Sequence, residues 1–173
     1  MHAAETLGVL ARNKIIRVSI ILAIIAIPFS LKYRIIYNVG PSMEPTIRNR
    51  EIIITERRSS LGAGWVPSRN DIIIGHQSYD SEKLTKRVIG LPGDEIEIID
   101  GDIILNNKKI SNLANDKLFI TYEDEDGFFL GSEAINQSKE TVPRDCVWVI
   151  GDNKPLSWYG YIPIKYITAK VLY

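Results

Sequence analysis

Two short segments carry residues whose types and spacing could do chemistry. In Gly40-Pro41-Ser42-Met43-Glu44-Pro45-Thr46, prolines fix the chain on either side of a serine, and a glycine permits close backbone approach. Such a serine is held rigidly, as a nucleophile must be, although the heptapeptide by itself also reads as an ordinary Pro-Ser turn. In Lys86-Arg87-Val88-Ile89-Gly90-Leu91-Pro92-Gly93-Asp94 a lysine sits on an apolar strand that stops at a Pro-Gly turn. Leu84 and Val88 flank Lys86 at strand spacing, so the lysine shares their face and Arg87 points the other way. A lysine can accept a serine proton only when neutral. Its pKa must fall from about 10.4 toward about 7 to 8, and desolvation in an apolar β setting can supply such a shift. The alternative for an isolated lysine is a solvated cation at a strand end.

Competing chemistries are poorly provided for. A serine triad needs a histidine, and of His2 and His76 only His76 lies away from the terminus. One cysteine, Cys146, excludes an intramolecular disulfide, and with two histidines the soft ligands are too few for a structural zinc site. No metal and no cofactor is expected. Cys146, Trp148 and Ile150 share one face of a strand while Val147 and Val149 share the other, so Cys146 reads as a core residue. The acidic run from Glu123 to Asp126 lacks the alternating ligands of a calcium loop and reads as a solvated loop. Lys plus Arg number 21, as do Asp plus Glu, which leaves no diffuse basic surface for nucleic acid.

The elements that must position Ser42 and Lys86 are a membrane anchor and a β-domain. The chain has 173 residues, 45% hydrophobic and 24% charged, which suits a single core. Val18 to Leu31 is a fourteen-residue stretch without a charge, bracketed by Arg12, Lys14 and Arg17 and by Lys32 and Arg34. The uncharged part spans about 21 Å as a helix, and from Lys14 to Arg34, with the flanking cations snorkelling, it reaches about 30 Å, one hydrocarbon thickness. A cleavable signal peptide would need two small residues before a cut, and no suitable pair follows the apolar run, so a retained anchor over residues 1–35 is expected. Cations flank both sides and do not decide orientation. Pro28 should weaken or kink the last turns.

After residue 35 the pattern is β, with apolar runs at Glu51 to Thr55, Asp71 to Gly75 and Val147 to Ile150. Glu95 to Ile110 predicts a three-strand meander turning at Asp100-Gly101 and Asn106-Asn107. The fold class is therefore mainly β, an antiparallel domain over residues 36–173 behind one N-terminal transmembrane helix.

The ordered boxes resemble the type I signal peptidase family, the membrane-bound serine-lysine peptidases that include bacterial leader peptidases and mitochondrial inner-membrane peptidases. The resemblance covers the anchor, Gly40 to Thr46 followed by Arg50 to Thr55, Arg69-Asn70-Asp71-Ile72-Ile73, Lys86 to Asp94, and Gly151-Asp152-Asn153. Gly40-Pro41 is closest to the mitochondrial and some bacterial members. The resemblance implies Ser42 as nucleophile, Lys86 as general base and Ser157 as the serine that orients the lysine amine. It implies removal of signal peptides from exported preproteins at a lipid bilayer, with the catalytic domain on the extracytoplasmic side of the plasma membrane, or in the mitochondrial inner membrane. The family's preference for small residues at the first and third positions before the cut implies two shallow apolar pockets, with Ile36, Asn38, Leu84 and Thr85 as candidate linings.

Several positions depart from the family. Gly40 stands where many bacterial relatives carry a hydroxyl that helps bind the oxyanion, so backbone N–H donors, that of Ser42 among them, must do more. The usual Asp-Ser-Arg stretch after Ser157 is missing, and Trp158-Tyr159-Gly160 leads straight to Tyr161-Ile162-Pro163. Asn70 replaces a glycine before Asp71, and Arg50-Glu51 replaces a Gly-Asp pair; both changes read as structural. A specialised maturation peptidase of a secretion or conjugation system, and an anchored β-domain with an inactive dyad, are the alternatives. A self-cleaving repressor would need a DNA-binding helical domain where the apolar span stands.

Overall fold

The computed structural model describes residues 2–110, 117–123 and 129–172. Helix α1 (His2–Lys32) comes first, and its apolar stretch Lys14–Lys32 measures about 28 Å and is exposed at every position. Isoleucines exposed along its whole length, such as Ile15 at 67% and Ile24 at 65%, would be unfavourable in water and are at home in hydrocarbon. The helix runs through Pro28 to Lys32 instead of ending there, and Ser30 Oγ donates to the Ile27 carbonyl at 2.9 Å. The chain then passes directly into a strand, so residues 33–35, expected within the anchor, already belong to the sheet.

Thirteen strands follow among the described residues: β1 (Tyr33–Tyr37), β2 (Ile52–Arg57), β3 (Ile72–Gly75), β4 (Leu84–Gly90), β5 (Glu95–Ile99), β6 (Asp102–Leu105), β7 (Lys108–Lys109), β8 (Phe119–Glu123), β9 (Phe129–Ala134), β10 (Gln137–Thr141), β11 (Cys146–Ile150), β12 (Tyr159–Pro163) and β13 (Ile167–Leu172). Three single turns of 3-10 helix, at Arg58–Ser60, Lys154–Leu156 and Ile164–Tyr166, are the helical pieces seen after α1 among the described residues. The main sheet is antiparallel with order β1-β2-β13-β3-β4-β11-β12. The last strand of the chain thus lies in the middle, between β2 and β3.

The expected meander is present as β5, β6 and β7, with β10 completing a second sheet. Its turns have positive φ at both central residues, 49° and 76° at Asp100-Gly101 and 48° and 63° at Asn106-Asn107. That is the hairpin geometry whose twist matches the strands, and Asn, Asp and Gly adopt it at least cost. The acidic run from Glu123 to Asp126 extends beyond the described residues.

β11 is apolar on both sides because it is covered on both sides. Trp148 and Ile150 pack with Ile89, Ile96, Ile98 and Ile103, which joins the main sheet to the meander. Val147 and Val149 pack on the other face with Ile73, Val88, Ile162 and Ile167. Cys146, expected in the core, is only half-buried: it opens the strand, and its Sγ lies 3.6 Å from Asp145 Oδ1. A third cluster, Met43, Ile47, Ile53, Ile72, Ile74, Ala169 and Val171, seats the segment that carries Ser42.

Candidate active site

Ser42 is held from below and from the side. The neighbouring Met43 and Ile47 are fully buried, and Ile47 N donates to the Met43 carbonyl at 2.9 Å, so the turn is plugged into the core by two side chains one helical step apart. Gly40 N donates to Asn49 Oδ1 at 2.9 Å, and Asn49 N donates to Glu44 Oε1 at 3.0 Å. From the far end of the chain, Asn153 N donates to the Ser42 carbonyl at 3.0 Å and Asn153 Nδ2 to the Pro41 carbonyl at 3.2 Å.

Lys86 lies on β4, opposite Ile73 of β3, and is 3% exposed. Burial pushes its pKa down from 10.5 to about 8, against the opposing pull of the Asp152 carboxylate. Its Nζ donates to Ser157 Oγ at 3.0 Å. Ser157 Oγ also accepts from Gly151 N at 2.8 Å and directs its own proton to the Trp158 carbonyl at 2.9 Å. The missing stretch after Ser157 therefore does not remove this hydroxyl from the lysine. The turn Lys154–Leu156 folds the short loop back and delivers it.

The Gly151-Asp152-Asn153 segment has three separate jobs, which the sequence did not disclose. A Cβ at Gly151 would fall 2.2 Å from both Ser157 Oγ and the Ser42 carbonyl oxygen, so only glycine lets the two serines approach the same backbone atom. Asp152 takes Arg87 as a two-pronged pair, Oδ1 with Nε at 2.7 Å and Oδ2 with Nη2 at 2.5 Å. This occupies the outward side of β4, where Arg87 was expected. Asn153 is the clamp on Ser42 already described. The signal available in the sequence was the motif itself; the partners lie 65 to 112 residues away.

Ser42 and Lys86 line one cavity of about 530 Å³. Ile36 and Asn38 from one wall and Leu84 and Thr85 from the other line it too, so the four candidate pocket residues meet around the two chemical groups. Asn38 is fixed in the wall by main-chain bonds to Glu51 and Arg50. His76 is not among the lining residues, and its Nδ1 lies 2.7 Å from the Ser81 carbonyl. Among the described residues no His, Cys, Asp and Glu group has the geometry to hold a metal ion. A buried amine that is half neutral near pH 8, sharing a cavity with a rigid serine, can activate that serine for attack on a carbonyl.

Comparison with known proteins shows the family. The family described as "Signal peptidase, peptidase S26" matches residues 11–173. Signal peptidase I of Bacillus caldolyticus is 33% identical over 140 residues, 76% of this chain and 73% of the relative. Mitochondrial inner membrane protease subunit 1 of Mus musculus is 31% identical over 139 residues, 78% of this chain and 64% of the relative. A crystal structure of a signal peptidase I from Enterococcus faecalis aligns with a TM-score of 0.44 at 29% identity, covering 63% of this chain and 98% of that one. With a match that runs from within α1 to residue 173, the chain belongs to the peptidase S26 family of signal peptidases.

Proposed function

We propose that the protein is a membrane-anchored serine endopeptidase that removes N-terminal signal peptides from preproteins by a Ser42–Lys86 dyad. Helix α1 serves as the anchor and the residues from Tyr33 onward as the peptidase domain, on the extracytoplasmic side of the plasma membrane, or in the inner membrane if the host compartment is the mitochondrion. The observation that carries the proposal is the buried Lys86, with a pKa lowered to about 8, in the same cavity as Ser42.

In the proposed reaction the neutral Lys86 Nζ takes the Ser42 Oγ proton as Oγ attacks the scissile carbonyl. Charge develops on the carbonyl oxygen, where the Ser42 N–H, which donates to no group among the described residues, supplies a hydrogen bond. Protonated Lys86 then delivers its proton to the leaving amine, and the bond to the mature protein breaks. Water repeats both steps on the acyl-enzyme and frees Ser42. Ile36, Asn38, Leu84 and Thr85 receive the small residues before the cut. Ser42 follows the end of α1 by ten residues, so the nucleophile stays close to the bilayer from which a signal peptide emerges.

The Ser157 bond to Lys86 favours an active dyad over an inactive scaffold. Ser42→Ala in membranes separates the two: loss of precursor cleavage supports the peptidase, whereas unchanged processing would overturn it.

A further inference from the structure

A second groove, of about 330 Å³, lies beside the end of the apolar helix and is ringed by Arg34, Arg57, Arg58 and Lys83, with no acidic residue in its lining. The whole chain is neutral, so four cations around one opening are a local excess. Of the acids adjacent to these cations in sequence, Glu56 pairs with Lys32 at 3.4 Å, and Glu82 lines the Ser42 cavity and not this groove. Arg58 is bound within the fold, through the Gly62 and Trp65 carbonyls and the Trp65 ring. The other three are not: Arg57 Nε is buried with no hydrogen-bond partner, and Arg34 and Lys83 stand in no ion pair among the described residues. Three cations turned toward one groove repel one another and call for an anion.

The groove's place says which anion. Arg34 is two residues past Lys32, the last residue of α1, which in an extended strand is about 7 Å. Ser60, which follows the groove-lining Ser59, has its Oγ 3.4 Å from the Lys32 carbonyl, so the groove abuts the helix end. The headgroup layer of a bilayer is about 5 to 8 Å deep on each side of the hydrocarbon. With α1 across the membrane, the cations stand at phosphate depth. Ile36, Ile74 and Ile167 floor the groove and offer an apolar wall to the glycerol end of a lipid.

We infer that this groove binds the headgroup phosphate of an anionic phospholipid. Bound there, the lipid would tie β1 and the start of β4 to the membrane surface. Arg34 and Lys83 line the Ser42 cavity as well, so the lipid would sit against one wall of it. The inference requires the anchor to lie across a bilayer but does not require the dyad to be catalytic.

Native mass spectrometry of the full chain in detergent, with phosphatidylglycerol or phosphatidylcholine added, tests it without reading activity. The wild type should retain phosphatidylglycerol about tenfold over phosphatidylcholine, each surface cation contributing a similar small share. The exposed pair Arg34→Gln/Lys83→Gln should lose that preference, and Arg57→Gln should weaken it, while Lys108→Gln/Arg144→Gln, which removes as many charges elsewhere, should keep it. Equal retention of the two lipids by the wild type, or an unchanged preference in Arg34→Gln/Lys83→Gln, would overturn the inference. Displacement of the lipid by millimolar inorganic phosphate would also overturn it, by assigning the groove to free phosphate. A raised KM for precursor in Arg34→Gln/Lys83→Gln with lipid retention intact would instead assign these cations to the preprotein.

Discussion

Lys86 Nζ lies 3.0 Å from Ser157 Oγ, a hydroxyl that spends its own proton on the Trp158 carbonyl. Ser157 can therefore only accept from the lysine, and the lone pair of the neutral amine is left for another proton. The serine fixes the direction of the amine without competing for its lone pair. Ser157→Ala should lower kcat by about ten- to a thousandfold with KM nearly unchanged and the protein still folded, at a lower Tm because the buried Gly151 N–H loses its acceptor. A kcat at the wild-type level would show that the short loop no longer serves the lysine.

The low pKa of Lys86 has a catalytic and a thermodynamic side. Activity should climb with pH through about 8 as the amine loses its proton. Lys86→Arg keeps the charge but offers no accessible neutral form, so cleavage should fall as far as in Ser42→Ala. His76→Ala should retain activity, since that ring does not line the cavity.

The same lysine weakens the fold. Its native value lies below the 10.5 of the exposed group, so between about pH 8 and 10.5 the unfolded chain binds the extra proton and stability rises with pH. Below about pH 8 the whole penalty is present, up to about 3 kcal/mol. Lys86→Met should raise Tm at pH 7 and lose most of that advantage at pH 10.5. An equal gain at both pH values would show that packing, not desolvation of charge, is responsible.

Local chemistry accounts for what could be read in the sequence. Asp100-Gly101 and Asn106-Asn107 fix the meander because their backbones take positive φ with least strain, and that requires no knowledge of distant chain. Ser42 and Lys86 stood out because proline, glycine and strand spacing are also local signals. The order of the main sheet was not accessible, since β13 enters between β2 and β3 through pairings more than a hundred residues apart from one of them. Arg87 with Asp152 and Asn153 with Pro41 were hidden for the same reason. Cys146 was misplaced because strand parity says which face a side chain takes but not how far that face is covered at the strand's first residue.

Arg50 and Asn70, the two positions read in the sequence as replacing glycine, both have left-handed backbones, at φ 65° and φ 71°. Asparagine tolerates that region, whereas arginine's Cβ crowds the following carbonyl at a cost of about 1 kcal/mol or more. Arg50→Gly should therefore stabilise the protein by about 0.5 to 1 kcal/mol, since glycine's larger loss of chain entropy offsets part of the relief. Asn70→Gly should change little. Denaturant unfolding measures both, and a destabilised Arg50→Gly protein would mean that the Arg50 side chain contributes a contact worth more than the strain.

Asp152 acts on Lys86 at a distance as well as on Arg87 by contact. Its carboxylate is 8% exposed and holds a half-buried guanidinium, so Asp152→Asn leaves Arg87 charged and poorly matched, at a cost of about 3 kcal/mol. The carboxylate also raises the lysine's pKa against the stronger effect of burial. Removing the negative charge should lower that pKa further, and the alkaline rise in activity should begin at a lower pH. The two effects separate in one variant: Tm falls, while the pH at half-maximal kcat moves down rather than up. A purely structural role for Asp152 would reduce Tm and kcat with the pH profile in place. An upward shift would contradict the assignment of Lys86 as a base tuned by its neighbours.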